Sequence, residues 1–127
     1  MKTIVVAYND TDASNRALER AAELAGFYDA KLVVTSVVPV LVGAERSPEP
    51  GAELQKADAL LRERGFEPEL VEAVGEIGEA IVEVADQVGA DLIVVGTREP
   101  SQVERMLGHS VSEAVQRMAH CDVLIVH

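Results

Sequence analysis

Two polar segments hold the residue types that could bind a ligand. The first, Asn9-Asp10-Thr11-Asp12, follows a short apolar run and sets two carboxylates beside an amide and a hydroxyl. The second begins at Gly96-Thr97-Arg98-Glu99-Pro100-Ser101 and ends at Gly108-His109-Ser110, where a helical pattern starts. A helix start presents backbone N–H groups without intrahelical partners and carries partial positive charge, so it suits an anion. Ser110 with Glu113 also fits a Ser-x-x-Glu capping box, which uses the same residues with no ligand. Asp10 and Asp12 could hold a cation through their carboxylates, but turn formation and helix capping account for them more readily.

Other chemistries lack their residues. Gly-x-Gly-x-x-Gly does not follow the first apolar run, and Gly-x-x-x-x-Gly-Lys-Ser/Thr occurs nowhere, which argues against a dinucleotide fingerprint and a Walker loop. No His-x-x-x-His or Cys-x-x-Cys spacing suggests a metal. No Gly-x-Ser-x-Gly elbow or Ser/His/acid arrangement suggests a nucleophile, so no catalytic residue is assigned and the chain is not expected to be an enzyme. His109 is placed to meet a phosphate, although a helix N-terminus disfavours its charged form. Cys121 reads as a small buried residue rather than a nucleophile. A phosphorelay receiver would need an Asp ending the third strand and a Lys after the fifth. Here Ala73-Val74-Gly75 ends the third, and no Lys follows Lys56.

The elements that must position these segments are legible from periodicity. Ile4–Ala7, Leu32–Val34 continuing through Val37-Val38, Leu92–Val95 and Val123–Val126 are continuous apolar runs, which imply strands covered on both faces. Glu69–Val74 mixes Glu with Val and reads as an edge strand. Helical spacing runs through Asp12–Ala25, Glu53–Arg64, Ile77–Val88 and Ser110–Ala119. Their apolar faces include Leu60, Leu61, Ile77, Ile81, Val111 and Val115. Gly26, Gly65 and Gly89 stand where helices should end, and Gly75 and Gly78 should shape the turn into the third helix. Residues 39–52, with three prolines and two glycines, read as a surface loop. The alternation predicts a single α/β domain over residues 1–127, a doubly wound open parallel sheet with helices on both faces. Ligands in such sheets bind beyond the carboxyl ends of strands where strand order reverses, which selects the loops after the first and fourth strands.

Composition narrows the partners. The 127 residues carry 22 acidic and 11 basic side chains, a formal net charge of -11, which opposes nucleic acid and anionic membranes. It also opposes anionic ligands unless local groups compensate. A single cysteine excludes an internal disulfide, and no signal or membrane-spanning stretch is visible, so a cytoplasmic protein is expected.

Several of these stretches resemble the universal stress protein family. They are Ile4-Val5-Val6-Ala7-Tyr8-Asn9, the helix start Ala13–Leu18, Gly89–Arg98, Ser110–Val115 and Cys121–Val126. The resemblance spans nearly the whole chain. It implies a Rossmann-like sheet of order 3-2-1-4-5 and a homodimer paired through the last strand, residues 123–126. The residues agree, since an apolar strand at a sheet edge is a pairing surface. One branch of the family binds ATP through Gly, two residues, Gly, nine residues, then Gly and Ser or Thr. The other branch lacks that pattern. Here Gly96 and Ser110 match its ends, but Glu99 and His109 replace the second and third glycines, and Gly108 lies one residue early. The acidic residue expected at the end of the first strand is Asn9.

The substitution at Glu99 decides between the branches. Two like charges about 4 Å apart cost roughly 4 kcal/mol at an effective dielectric near 20. A helix N-terminus returns only about 0.3–1 kcal/mol at an exposed site. The expected protein is therefore a dimeric regulatory stress protein that engages unknown protein partners and has a degraded nucleotide crevice. The residues expected around that crevice are Asn9, Asp10, Val37, Gly96, Thr97, Arg98, Gly108, His109, Ser110 and Val111. No cofactor and no metal are expected. The alternative is an ATP-dependent switch that uses Mg.

Overall fold

The strands form where apolar residues run without interruption, because both of their faces must be buried. In the computed structural model, which describes residues 1–38, 51–97 and 111–127, these runs are β1 (Thr3–Ala7), β2 (Lys31–Val38), β3 (Glu69–Val74), β4 (Leu92–Gly96) and β5 (Asp122–Val126). They make one parallel sheet of order β3-β2-β1-β4-β5. Val5 pairs with Val33 on one side and Ile93 on the other, so β1 lies at the centre. The strand mixed with Glu, β3, is an edge as its composition predicts, and β5 is the other edge.

The connecting helices are α1 (Asp12–Tyr28), α2 (Ala52–Glu63), α3 (Ile77–Val88) and α4 (Val111–Met118). Successive strand residues point to opposite faces, and the core divides accordingly. Ile4, Val6, Val34 and Val94 pack under α1 and α2. Val5, Val33, Ile93 and Val95 pack under α3 and α4. Each fully buried aliphatic side chain is worth about 1.5–3 kcal/mol, so the sheet needs few aromatics.

Helix ends correct the reading in part. Gly65 and Gly89 take positive φ at the ends of α2 and α3, as expected. Gly26 does not end α1, which continues to Tyr28 and closes on Asp29 at φ 54. Asp tolerates the left-handed region better than most residues, so glycine is not required there. Gly78 is not a turn residue. It lies in the first turn of α3 and faces α4, where an added Cβ would stand 2.8 Å from the Ala114 Cβ. Three apolar residues assigned to buried helix faces are exposed instead: Leu60, Ile77 and Val111. Leu54, Ala57 and Leu61 point α2 at the sheet, and Leu60 falls a third of a turn away, toward α1. Cys121 is half-buried, and burial pushes its thiol pKa up, which disfavours the nucleophilic thiolate. The 39–50 part of the predicted loop and the Ser110 half of the capping box lie outside the described residues.

Candidate functional site

Strand order reverses between β1 and β4, because the chain winds outward one way through β2 and β3 and the other way through β4 and β5. The crevice therefore opens at the carboxyl ends of these two strands, as expected. The β1–α1 turn forms one wall and Gly96-Thr97 begins the other. Arg98, Gly108, His109 and Ser110 lie outside the described residues. Val37 is half-buried at the carboxyl end of β2, on the α3 side of the sheet. Val111 opens α4 and is exposed.

The β1–α1 turn is built by its own hydrogen bonds. Thr11 is the N-cap of α1, a position not assigned from sequence, and Ser14 completes a capping box with it. The Ser14 N–H donates to Thr11 Oγ1 at 3.2 Å, and the Thr11 N–H donates to Ser14 Oγ at 3.0 Å. The Thr11 hydroxyl donates to Asn9 Oδ1 at 2.7 Å. Asn9, standing where the family has an acid, is thus held by the cap. Asp10 sits at φ 56, so its expected role as a turn former holds, while Asp12 is the first residue inside the helix.

Two residues that sequence reasoning did not assign to the site converge on Asp10. Lys56, from α2, places its Nζ 2.5 Å from Asp10 Oδ1. The Tyr8 hydroxyl, at the end of β1, donates to Asn15 Oδ1 at 2.8 Å and lies 3.3 Å from Asp10. The Lys56 ammonium holds the Asp10 carboxyl below the usual carboxylate range. Burial, reinforced by the negative charge of Asp10, pushes Tyr8 up to about 12. Polarity at a strand end marked Tyr8, but nothing in the sequence places Lys56 beside Asp10, 46 residues away.

Gly96 has a structural duty of its own. A Cβ there would overlap the Ala13 carbonyl and stand 3.1 Å from the Ser14 nitrogen. The end of β4 therefore touches the backbone of the α1 start. Glycine at this position is required with or without a phosphate nearby.

The profile of the universal stress protein family matches residues 1–127. The chain belongs to the universal stress protein family. Universal stress protein Rv1636 from Mycobacterium tuberculosis is 37% identical, covering 99% of this chain and 96% of its own. A universal stress protein solved in complex with cAMP is 35% identical, with a TM-score of 0.81, over 99% of this chain and 96% of that one. A family member from Archaeoglobus fulgidus in complex with dAMP is 26% identical, with a TM-score of 0.74, over 100% and 98%. The Rossmann-like fold of the family is the fold described above. No cluster of His, Cys, Asp and Glu that could hold a metal occurs among the described residues, and none of their helices is long and apolar enough to cross a membrane.

Proposed function

We propose that this universal stress protein is a regulatory binding protein whose crevice takes an adenine mononucleotide in preference to MgATP. The observation that carries the reading is the charge of the β1–α1 wall. Asp10 and Asp12 stand there, and Lys56 offsets the charge of only one of them. A polyphosphate brings several negative charges to that wall, whereas a cyclic monophosphate brings one. Glu99, which replaces the second glycine of the family's ATP motif, carries a further negative charge. The cAMP and dAMP complexes of two relatives support a single-phosphate ligand and move the expectation away from an empty crevice. Of the described residues expected at the site, Val37 would offer apolar surface to the base, and Gly96 and Thr97 would lie toward the phosphate.

The protein acts in this reading as a cytoplasmic homodimer paired through residues 123–126, with occupancy of the crevice biasing what the dimer engages. β5 is an edge strand with half-buried Val123, Leu124, Ile125 and Val126, which suits pairing. No covalent chemistry is assigned to it.

Equilibrium binding of labelled cAMP, AMP and MgATP tests the reading. Micromolar affinity for a mononucleotide and at least about tenfold weaker MgATP is expected, a gap of about 1.4 kcal/mol. MgATP binding as tight as cAMP would overturn it. Glu99→Gly with His109→Gly should strengthen MgATP binding, and no gain would show that these two residues do not limit the site.

A further inference from the structure

Helices α1 and α2 cover the same face of the sheet. Between them runs a groove of about 280 Å³, near the lower limit for small-ligand sites, about 300 Å³. Its floor is aliphatic: Leu18 from α1, with Leu60 and Leu61 from α2. Leu60 is 37% exposed, although it belongs to a helix whose other leucines are buried.

The groove has polar ends of different character. At one end the Arg64 guanidinium meets Glu19 at 3.2 Å. At the other stand Lys56 and Asn15. Tyr8 donates to Asn15 Oδ1, which turns the amide N–H groups of Asn15 away from Tyr8. An ammonium and an amide donor thus share one end of an aliphatic trough, in a protein whose net charge is -11. The carboxylate that now occupies Lys56 is Asp10, and both partners are about half exposed, 52% and 40%. Exposed ion pairs of this kind contribute little and are readily exchanged.

We propose that the α1/α2 groove is a binding site for a medium-chain fatty carboxylate, seated with its head on Lys56 and Asn15 and its chain over Leu18, Leu60 and Leu61. The head group replaces Asp10 at Lys56, and the chain covers the exposed Leu60. The carboxylate supplies the charge that this end prefers, and the alkyl body supplies the surface that the floor lacks. The site shares the Lys56–Asp10 pair with the β1–α1 wall of the nucleotide crevice, but decanoate binding is measured with no nucleotide present.

Titration calorimetry of the full chain with sodium decanoate tests the site, with decanol and hexanoate as controls for head and chain. Saturable binding of decanoate at tens to hundreds of micromolar is expected, and binding by either control should be at least about tenfold weaker. Lys56→Gln should weaken decanoate about tenfold, as loss of a charge-assisted hydrogen bond does. Leu60→Ser should weaken it several-fold. Both side chains are exposed, so both variants should fold. Asp10→Asn removes the competing carboxylate and should tighten decanoate, a gain that a merely structural Lys56 would not give. The proposal fails if no saturable binding occurs below about 1 mM, if decanol binds as well as decanoate, or if neither Lys56→Gln nor Leu60→Ser alters the affinity.

Discussion

Gly96, the last residue of β4, lies directly against the Ala13 carbonyl at the start of α1, with no room for a Cβ between them. This contact joins the two walls of the crevice and sets how closely the start of α1 approaches the end of β4. Gly96→Ala should therefore destabilise the protein by about 2–3 kcal/mol, the upper part of the range for overpacking, because the obstruction is backbone and cannot rotate away. Denaturant unfolding without any nucleotide would show this as a lower midpoint at unchanged slope. A midpoint equal to that of the parent protein would mean that the glycine serves a ligand and not the α1 contact.

A second glycine does comparable work between α3 and α4. Gly78 would place a Cβ 2.8 Å from the Ala114 Cβ and 3.1 Å from Met118 Cε. Met118 can bend aside, but Ala114 moves only with its helix. Gly78→Ala would ordinarily gain about 1 kcal/mol in a helix. Here we expect a net loss of about 1 kcal/mol, and Gly78→Leu should cost about 3 kcal/mol. Thermal unfolding of the two variants checks the order, and stabilisation by Gly78→Ala would contradict the packing.

The parallel sheet was legible because four apolar runs and one mixed strand alternate with four helical patterns, and β3 announced itself as an edge by its glutamates, whereas the order 3-2-1-4-5 came from the family resemblance. The general position of the crevice followed from the alternation of elements and the rule that such sheets bind ligands where strand order reverses. What stayed hidden were contacts between residues distant in sequence. Lys56 meets Asp10 only because α1 and α2 lie on one face, and the duties of Gly96 and Gly78 depend on helices that no periodicity brings together. Helix ends were half legible: Gly65 and Gly89 need left-handed backbone, whereas Asp29 supplied it where Gly26 was expected. Leu60 misled because its spacing fits the buried face of α2 until the gap beside α1 is known.

Asp91 anchors the start of the chain. Its Oδ2 accepts from the Lys2 N–H at 2.8 Å and the Thr3 N–H at 2.9 Å, and these bonds hold its pKa below the ordinary 3.8. The unfolded chain therefore binds this proton more readily than the folded one. The stabilisation is present at neutral pH and is lost as pH falls below 3.8 through the folded value. Asp91→Asn should lower stability at neutral pH, and its deficit should shrink as the medium is acidified through that window. Urea unfolding at several pH values measures the gap. A deficit independent of pH would show that the charge of Asp91 is not what the two N–H groups recognise.

Tyr8 gives the opposite pH sign. Its hydroxyl donates to Asn15, and its burial at the end of β1 together with the Asp10 carboxylate beside it raises its pKa from 10.0 to about 12. The folded protein therefore favours the neutral phenol, and this contribution is fully present below 10.0 and lost as pH rises toward 12. Tyr8→Phe should cost about 1 kcal/mol at neutral pH, the usual worth of one hydrogen bond, with Asn15 turning to solvent. It should also remove part of the alkaline loss of stability. The chain has two tyrosines, so a Tyr28→Phe background isolates the tyrosinate absorbance of Tyr8. Ionisation of Tyr8 near 10.0 in the folded state would contradict its enclosure and the negative charge of Asp10 beside it.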